Sequence, residues 1–193
     1  MRAVAPERGI LLSNTQGRLE LGSILISKDD IERRVREVAL EIEETYRGEE
    51  VVFVGILKGA SIFLADLVRA VGPTVDVRID FMAVSSYGDS SVSSGVVKIV
   101  KDMDAYAEGK HVVLVEDIVD TGLTLHYLRE IVQARSPKSL RVCALLEKPE
   151  RKQVECEIEY KGFTIPDAFV VGYGLDYAGQ WRHLPDIWCV VER

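Results

Sequence analysis

The chain has 193 residues, 47% of them hydrophobic, and a formal net charge of −7. That length supports one sizeable core with a small appendage, and the acidic balance argues against general binding to nucleic acid or to a membrane surface. Three cysteines without a C-x-x-C pair suit a reduced, cytoplasmic setting rather than a disulfide framework, and no apolar stretch reaches membrane-spanning length.

Residues 1–22 have no long apolar core of the kind a secretory signal needs. They read as a weakly ordered arm, leaving 23–193 as a single domain. Ser27 followed by Lys28, Asp29 and Asp30 predicts a capped helix start with acids in its first turn. Ile31, Val35, Val38, Leu40 and Ile42 continue at roughly helical spacing to Tyr46, and Arg47-Gly48 ends the run. Val51 to Leu57 predicts a buried central strand, with Lys58-Gly59 at its end and a second helix from about Ser61 to Val71. Val75 to Ala83 is strand-like. Val84 to Gly95 is rich in Ser and Gly and predicts a long loop, which in a compact domain tends to serve function. Val96 to Val100 suits a returning strand.

Residues 112–125, VVLVEDIVDTGLTL, are the most informative run. Val112 to Val115 predicts a buried strand, and the carboxylates Glu116 and Asp117 follow at its end. Charges there need partners, because an unpaired buried charge is costly. Asp120, Thr121, Gly122, Leu123 and Thr124 then open a helix whose Leu125, Leu128, Ile131 and Val132 share a face. Backbone N–H groups at a helix start suit an anion such as phosphate. The segment therefore fits a ligand with hydroxyls or a metal at one end and phosphate at the other, a ribose phosphate. Ser139 to Leu146 is another strand, with Lys148 just beyond it, and Phe169 to Val171 is expected to continue the sheet.

Alternating strands and helices imply an α/β fold, an open twisted and mostly parallel sheet flanked by helices. In such sheets ligands bind beyond the C-terminal strand ends. Lys58-Gly59, the Glu116–Thr124 segment and Lys148 all fall there, so one shared site is expected.

The Glu116–Thr124 pattern resembles the phosphoribosyl-diphosphate (PRPP) motif of type I phosphoribosyltransferases, and Glu116-Asp117 with Asp120 points to the bacterial hypoxanthine-guanine branch. The resemblance also takes in Leu57-Lys58-Gly59, Ser85-Ser86-Tyr87-Gly88, Leu146-Glu147-Lys148-Pro149 and the run from Phe169 to Tyr177, in the family's order. It implies Mg2+-dependent transfer of a phosphoribosyl group from PRPP to a 6-oxopurine, with a small hood formed by residues after 175 and part of the N-terminal segment. It also implies a homo-oligomer, dimer or tetramer.

Thr121, Gly122, Leu123 and Thr124 with Asp120 would cradle the 5′-phosphate, Leu123 through its backbone alone. Glu116 and Asp117 would hold the ribose hydroxyls, directly or through Mg2+. By resemblance, Asp120 is also the catalytic acid or base at the purine imidazole ring; its plainer reading is a helix N-cap. Lys148, Phe169, Val170 and Asp176 would meet the purine: Lys148 by donating to the 6-oxo oxygen, Phe169 by stacking, Val170 through its backbone. Asp176 would serve as a further Mg2+ ligand, mostly through water. Lys58, Gly59 and Arg182 would bind diphosphate, with a cis peptide implied near Lys58. Ser86 and Tyr87 match the family's catalytic lid. Surface charge is the plain alternative for Lys148 and Arg182, and core packing for Phe169. Trp181 and Trp188 suit packing in the hood or at an interface. A nucleotide-sensing RNA- or DNA-binding regulator of the same fold, and a xanthine-preferring enzyme, are the competing readings.

Overall fold

The computed structural model describes residues 19–86, 97–104 and 107–192. In chain order these form β1 (Leu19–Ile26), α1 (Lys28–Tyr46), β2 (Glu50–Leu57), α2 (Ala60–Ala70), β3 (Asp76–Ser86), β4 (Val97–Lys101) and β5 (His111–Val119). Then come α3 (Leu123–Gln133), β6 (Ser139–Glu147), a 3-10 turn (Pro149–Arg151), β7 (Tyr160–Thr164), β8 (Val170–Val171) and β9 (Ile187–Glu192).

The central sheet runs β4-β3-β2-β5-β6-β7. All its pairings are parallel except that of β4 with β3, so the fold is α/β with a mostly parallel sheet. Period-2 alternation divides the strand residues between two cores. Phe53, Val113 and Val115 face α1 and α2, packing with Ile31, Val35, Phe63 and Leu64. Val52, Val54, Val112 and Leu114 face α3, packing with Leu125, Leu128 and Val132. Fully burying each such side chain is worth roughly 1.5–3 kcal/mol. The strand ends that carry the polar loops are therefore anchored in a stiff base.

Helix α1 begins as its sequence dictates, with Ser27 Oγ accepting from the Asp30 N–H at 3.2 Å. Its buried face is Ile31, Val35, Val38, Ala39 and Ile42. Leu40, expected on that face, is 58% exposed. It falls off the i, i+3, i+4, i+7 stripe, which Ala39 completes.

Phe169 to Val171 does not continue the central sheet. β7, whose mixed Tyr-Lys-Gly-Phe-Thr sequence hides a strand, already closes that edge beside β6. β8 pairs instead with β9, and β9 with β1, in a separate antiparallel sheet ordered β1-β9-β8. Leu21, Val171, Trp181 and Trp188 fill its core, so the tryptophans are hood packing. This unit joins the N-terminal strand β1 to β9, near the C-terminal end of the chain. β1 starts at Leu19, inside the segment read as an arm, and Leu21 is buried.

Candidate active site

The C-terminal ends of β2, β5 and β6 lie side by side, in parallel register that pairs Gly55 with Val115 and Glu116 with Ala144. A pocket of about 80 Å³ opens at the end of β5, lined by Glu116, Ile118, Val119, Asp120, Thr121, Gly122, Thr124 and Leu125. That is room for a handful of water-sized groups, the scale of a phosphate. Gly122 has φ +82° and forms the N-cap of α3. A side chain there would crowd the Val154 carbonyl, so glycine permits both the turn and the close approach. Asp120 is therefore not the N-cap.

Glu116 is buried, and its Oε2 has no hydrogen-bond partner among the described residues. Burial, and then the neighbouring Asp117 charge, push its carboxyl well above the ordinary value. Asp117 turns to the other side of the strand, against Gly59 at the β2–α2 turn. Removal from water raises it to about 6, and Asp176 adds to the rise; the Ile118 N–H and Arg182 oppose it. Two adjacent carboxyls, both raised by burial, thus face opposite sides of the same strand end.

Three elements converge on that turn. The Leu57–Lys58 peptide is cis. The Lys58 carbonyl accepts from Ser61 Oγ at 2.8 Å, and Lys58 itself is exposed. From the loop after β8, Gly174 abuts the Gly59 carbonyl. Arg182 is no free surface charge: it donates to the Gly174 carbonyl at 2.6 Å and pairs with Asp176 at 2.6 Å. Asp176 also accepts from the Gly179 N–H at 2.6 Å. The acids expected to share a metal form no closed cage, since no cluster of three or more His, Cys, Asp or Glu side chains able to hold a metal ion occurs among the described residues. The donors nonetheless suit Mg2+, which takes few carboxylates and keeps several waters. The buried, unpartnered Glu116 oxygen is a hard donor of that kind.

Lys148 immediately follows β6 and is buried, its N–H donating to the Val119 carbonyl at 2.9 Å. It is thus tied to the strand that carries the acids. Phe169 is 50% exposed and meets Tyr177 edge-on at 5.7 Å, so core packing does not account for it. Val170 is the opposite, with its side chain in the main core and its backbone paired with Cys189 of β9. Ser86 is the last residue of β3, paired with Val97. Tyr87 lies outside the described residues.

One set of contacts was not anticipated from the sequence. Asp120 Oδ1 accepts from Arg151 Nε at 2.7 Å. Arg151 also reaches Asp167, and Asp167 faces Lys148 Nζ at 3.6 Å. Nothing in the local sequence distinguishes Arg151 or Asp167 from surface charges.

An open, mostly parallel sheet whose C-terminal strand ends carry two acids and a glycine-turned helix start defines an α/β protein with its candidate site at that edge. The family model for the phosphoribosyl transferase domain matches residues 25–178, and the chain belongs to that family. Hypoxanthine-guanine phosphoribosyltransferase of Aquifex aeolicus is 51% identical over 170 residues, covering 88% of this chain and 94% of that one. Hypoxanthine phosphoribosyltransferase of Escherichia coli K12 is 47% identical over 170 residues, covering 87% and 94%. The crystal structure of a hypoxanthine-guanine phosphoribosyltransferase from Bacillus anthracis matches with a TM-score of 0.83 at 46% identity, covering 90% of this chain and 99% of that one.

Proposed function

We propose that this chain is a purine-salvage enzyme that moves the phosphoribosyl group of PRPP onto hypoxanthine or guanine, giving IMP or GMP and diphosphate. The observation that carries the reading is the shared pocket. Glu116, whose buried Oε2 has no hydrogen-bond partner among the described residues, lines the same pocket as Asp120, Thr121, Gly122 and Thr124. A ribose phosphate fits both ends of it: vicinal hydroxyls can donate to carboxylates, and phosphate accepts from N–H and hydroxyl groups. The test is nucleotide formation from PRPP and hypoxanthine, and its dependence on added Mg2+.

In this scheme Thr121, Gly122, Leu123 and Thr124 cradle the 5′-phosphate, and Glu116 and Asp117 bind the ribose hydroxyls. Glu116, Asp117 or Asp176 would hold Mg2+, largely through water, and the bound ion would supply positive charge against the diphosphate. Lys58, Gly59 and Arg182 bind the diphosphate; the support is their meeting at one turn beside Asp117. Lys148 donates to the 6-oxo oxygen of the base. Adenine, with an amino group there, would set donor against donor. Phe169 stacks on the purine, the Val170 backbone meets its edge, and Asp176 lies at the same end. The C1′–oxygen bond to diphosphate breaks as a purine ring nitrogen bonds to C1′. Asp120 takes the proton that the purine imidazole ring sheds and returns it in the reverse reaction. Most of the rate gain comes from positioning and fixed charge. Ser86 and Tyr87 belong to a lid that keeps water from the developing sugar cation.

A nucleic-acid-binding regulator is not favoured, since the chain carries a net charge of −7. Xanthine as the preferred base remains for competition assays to decide. The reading extends to a homo-oligomer, dimer or tetramer, at work in the cytoplasm. Free thiols at Cys143, Cys156 and Cys189 are in keeping with a reducing compartment. No helix among the described residues is long and apolar enough to cross a membrane.

A further inference from the structure

Between the carboxylate assigned to the proton and the ammonium assigned to the base stands a guanidinium that neither role uses. Arg151 closes the 3-10 turn Pro149–Arg151. Its Nε donates to Asp120 Oδ1 at 2.7 Å, and a terminal nitrogen reaches Asp167 Oδ2 at 3.4 Å. The other oxygen of Asp167 lies 3.6 Å from Lys148 Nζ. The result is a continuous chain of alternating charge, Asp120–Arg151–Asp167–Lys148.

The main chain fixes this arrangement. The Lys148 N–H donates to the Val119 carbonyl at 2.9 Å, immediately before Asp120. The Gln153 N–H donates to the Thr121 carbonyl at 3.0 Å, immediately after it. The segment carrying Lys148 and Arg151 is thus stitched to the residues on either side of Asp120. The Arg151 side chain is 46% exposed, and that of Asp120 41%. Ion pairs this exposed add little to folding, so stability does not explain the placement. Arginine suits it chemically, because its planar fork can serve two carboxylates at once, whereas a lysine is a single point charge. A guanidinium on Oδ1 also fixes the rotation of the Asp120 carboxylate, which decides where its second oxygen points.

We propose that Arg151 is a positioning residue for the transfer reaction: it holds Asp120 at the angle that receives the purine proton and, through Asp167, couples that angle to the seating of Lys148 on the 6-oxo group. The inference rests on the function proposed above.

Initial rates of the purified full chain with PRPP, Mg2+ and hypoxanthine test it. Arg151→Gln should lower kcat at least about tenfold, the scale of a misplaced catalytic group, with the KM for PRPP within about twofold of wild type. Arg151→Lys should recover part of the lost kcat, since it restores a charge on Asp120 but not the bridge. Asp167→Asn should lower kcat less than Arg151→Gln does, and raise the KM for hypoxanthine severalfold. Wild-type kcat in Arg151→Gln overturns the proposal. So does a raised PRPP KM with kcat intact, the mark of a merely disturbed phosphate loop, or a lysine variant no better than the glutamine one. A wild-type chain that forms no nucleotide overturns the broader function, and this inference with it; that outcome is visible before any variant is made.

Discussion

The Asp117 carboxylate rests against the backbone of Gly59, so closely that a Cβ on Gly59 would overlap Asp117 Oδ2. The turn after β2 and the acid on β5 are therefore one unit, although 58 positions separate them in the sequence. Gly59 is αR, with φ −61°, so alanine is acceptable to its backbone and the effect of a substitution is steric. Gly59→Ala should push Asp117 out of place, costing about 1–3 kcal/mol in stability by overpacking and raising the KM for PRPP. Thermal melting and PRPP titration check this; an unchanged KM would separate Asp117 from PRPP binding.

Asp120→Asn keeps the shape of the side chain but cannot take a proton. Turnover should fall by roughly 10²–10⁴, the usual span for losing a general acid or base, with PRPP binding retained. Steady-state kinetics with saturating PRPP decide the matter. Equal turnover removes Asp120 from the chemistry.

Lys148→Ala deletes a buried donor. A hydrogen bond from a charged group is worth about 1.5–3 kcal/mol, so the KM for hypoxanthine should rise about 10- to 100-fold while adenine is excluded less strictly. Competition between the two bases measures it. Unchanged discrimination would leave Lys148 without its assigned role.

Glu147 stands beside Lys148 but faces structure instead. Its oxygens pair with Lys152 at 2.6 Å and Lys161 at 2.7 Å, and its side chain is 8% exposed. Burial works to raise its carboxyl, yet the two lysines outweigh it and hold the group below its ordinary 4.5. A depressed acid contributes stability above its unfolded value and loses it as pH falls through the folded one. Glu147→Gln should cost about 1.5–3 kcal/mol at pH 7, the scale of hydrogen bonds to a charged group, and the cost should shrink as pH drops below about 4.5. Urea unfolding at pH 7 and at pH 3.5 reads both; an equal loss at each pH contradicts the assignment.

The local structure of residues 112–124 was legible because it is contiguous: apolar strand, acids and glycine turn follow one another, and each has a local physical signature. The α1 face was nearly legible, failing only where Leu40 was counted in place of the smaller Ala39. β7 was not, because Lys161 and Gly162 interrupt its apolar residues, and its absence misassigned β8 to the central sheet. Asp176 and Arg182 were expected through resemblance; that they pair with each other became visible only in three dimensions. Arg151 was invisible to sequence reading because its meaning lies in a contact with a residue 31 positions away.

The central claim is that the end of β5 holds an activated sugar phosphate so that a 6-oxopurine can displace its diphosphate. Absorbance-monitored nucleotide formation from PRPP with hypoxanthine, guanine and xanthine in turn, with Mg2+ and then with a chelator, tests it most directly. The account predicts IMP and GMP in the presence of Mg2+ and none once it is removed. Failure to convert either hypoxanthine or guanine, or full activity in chelator, contradicts it.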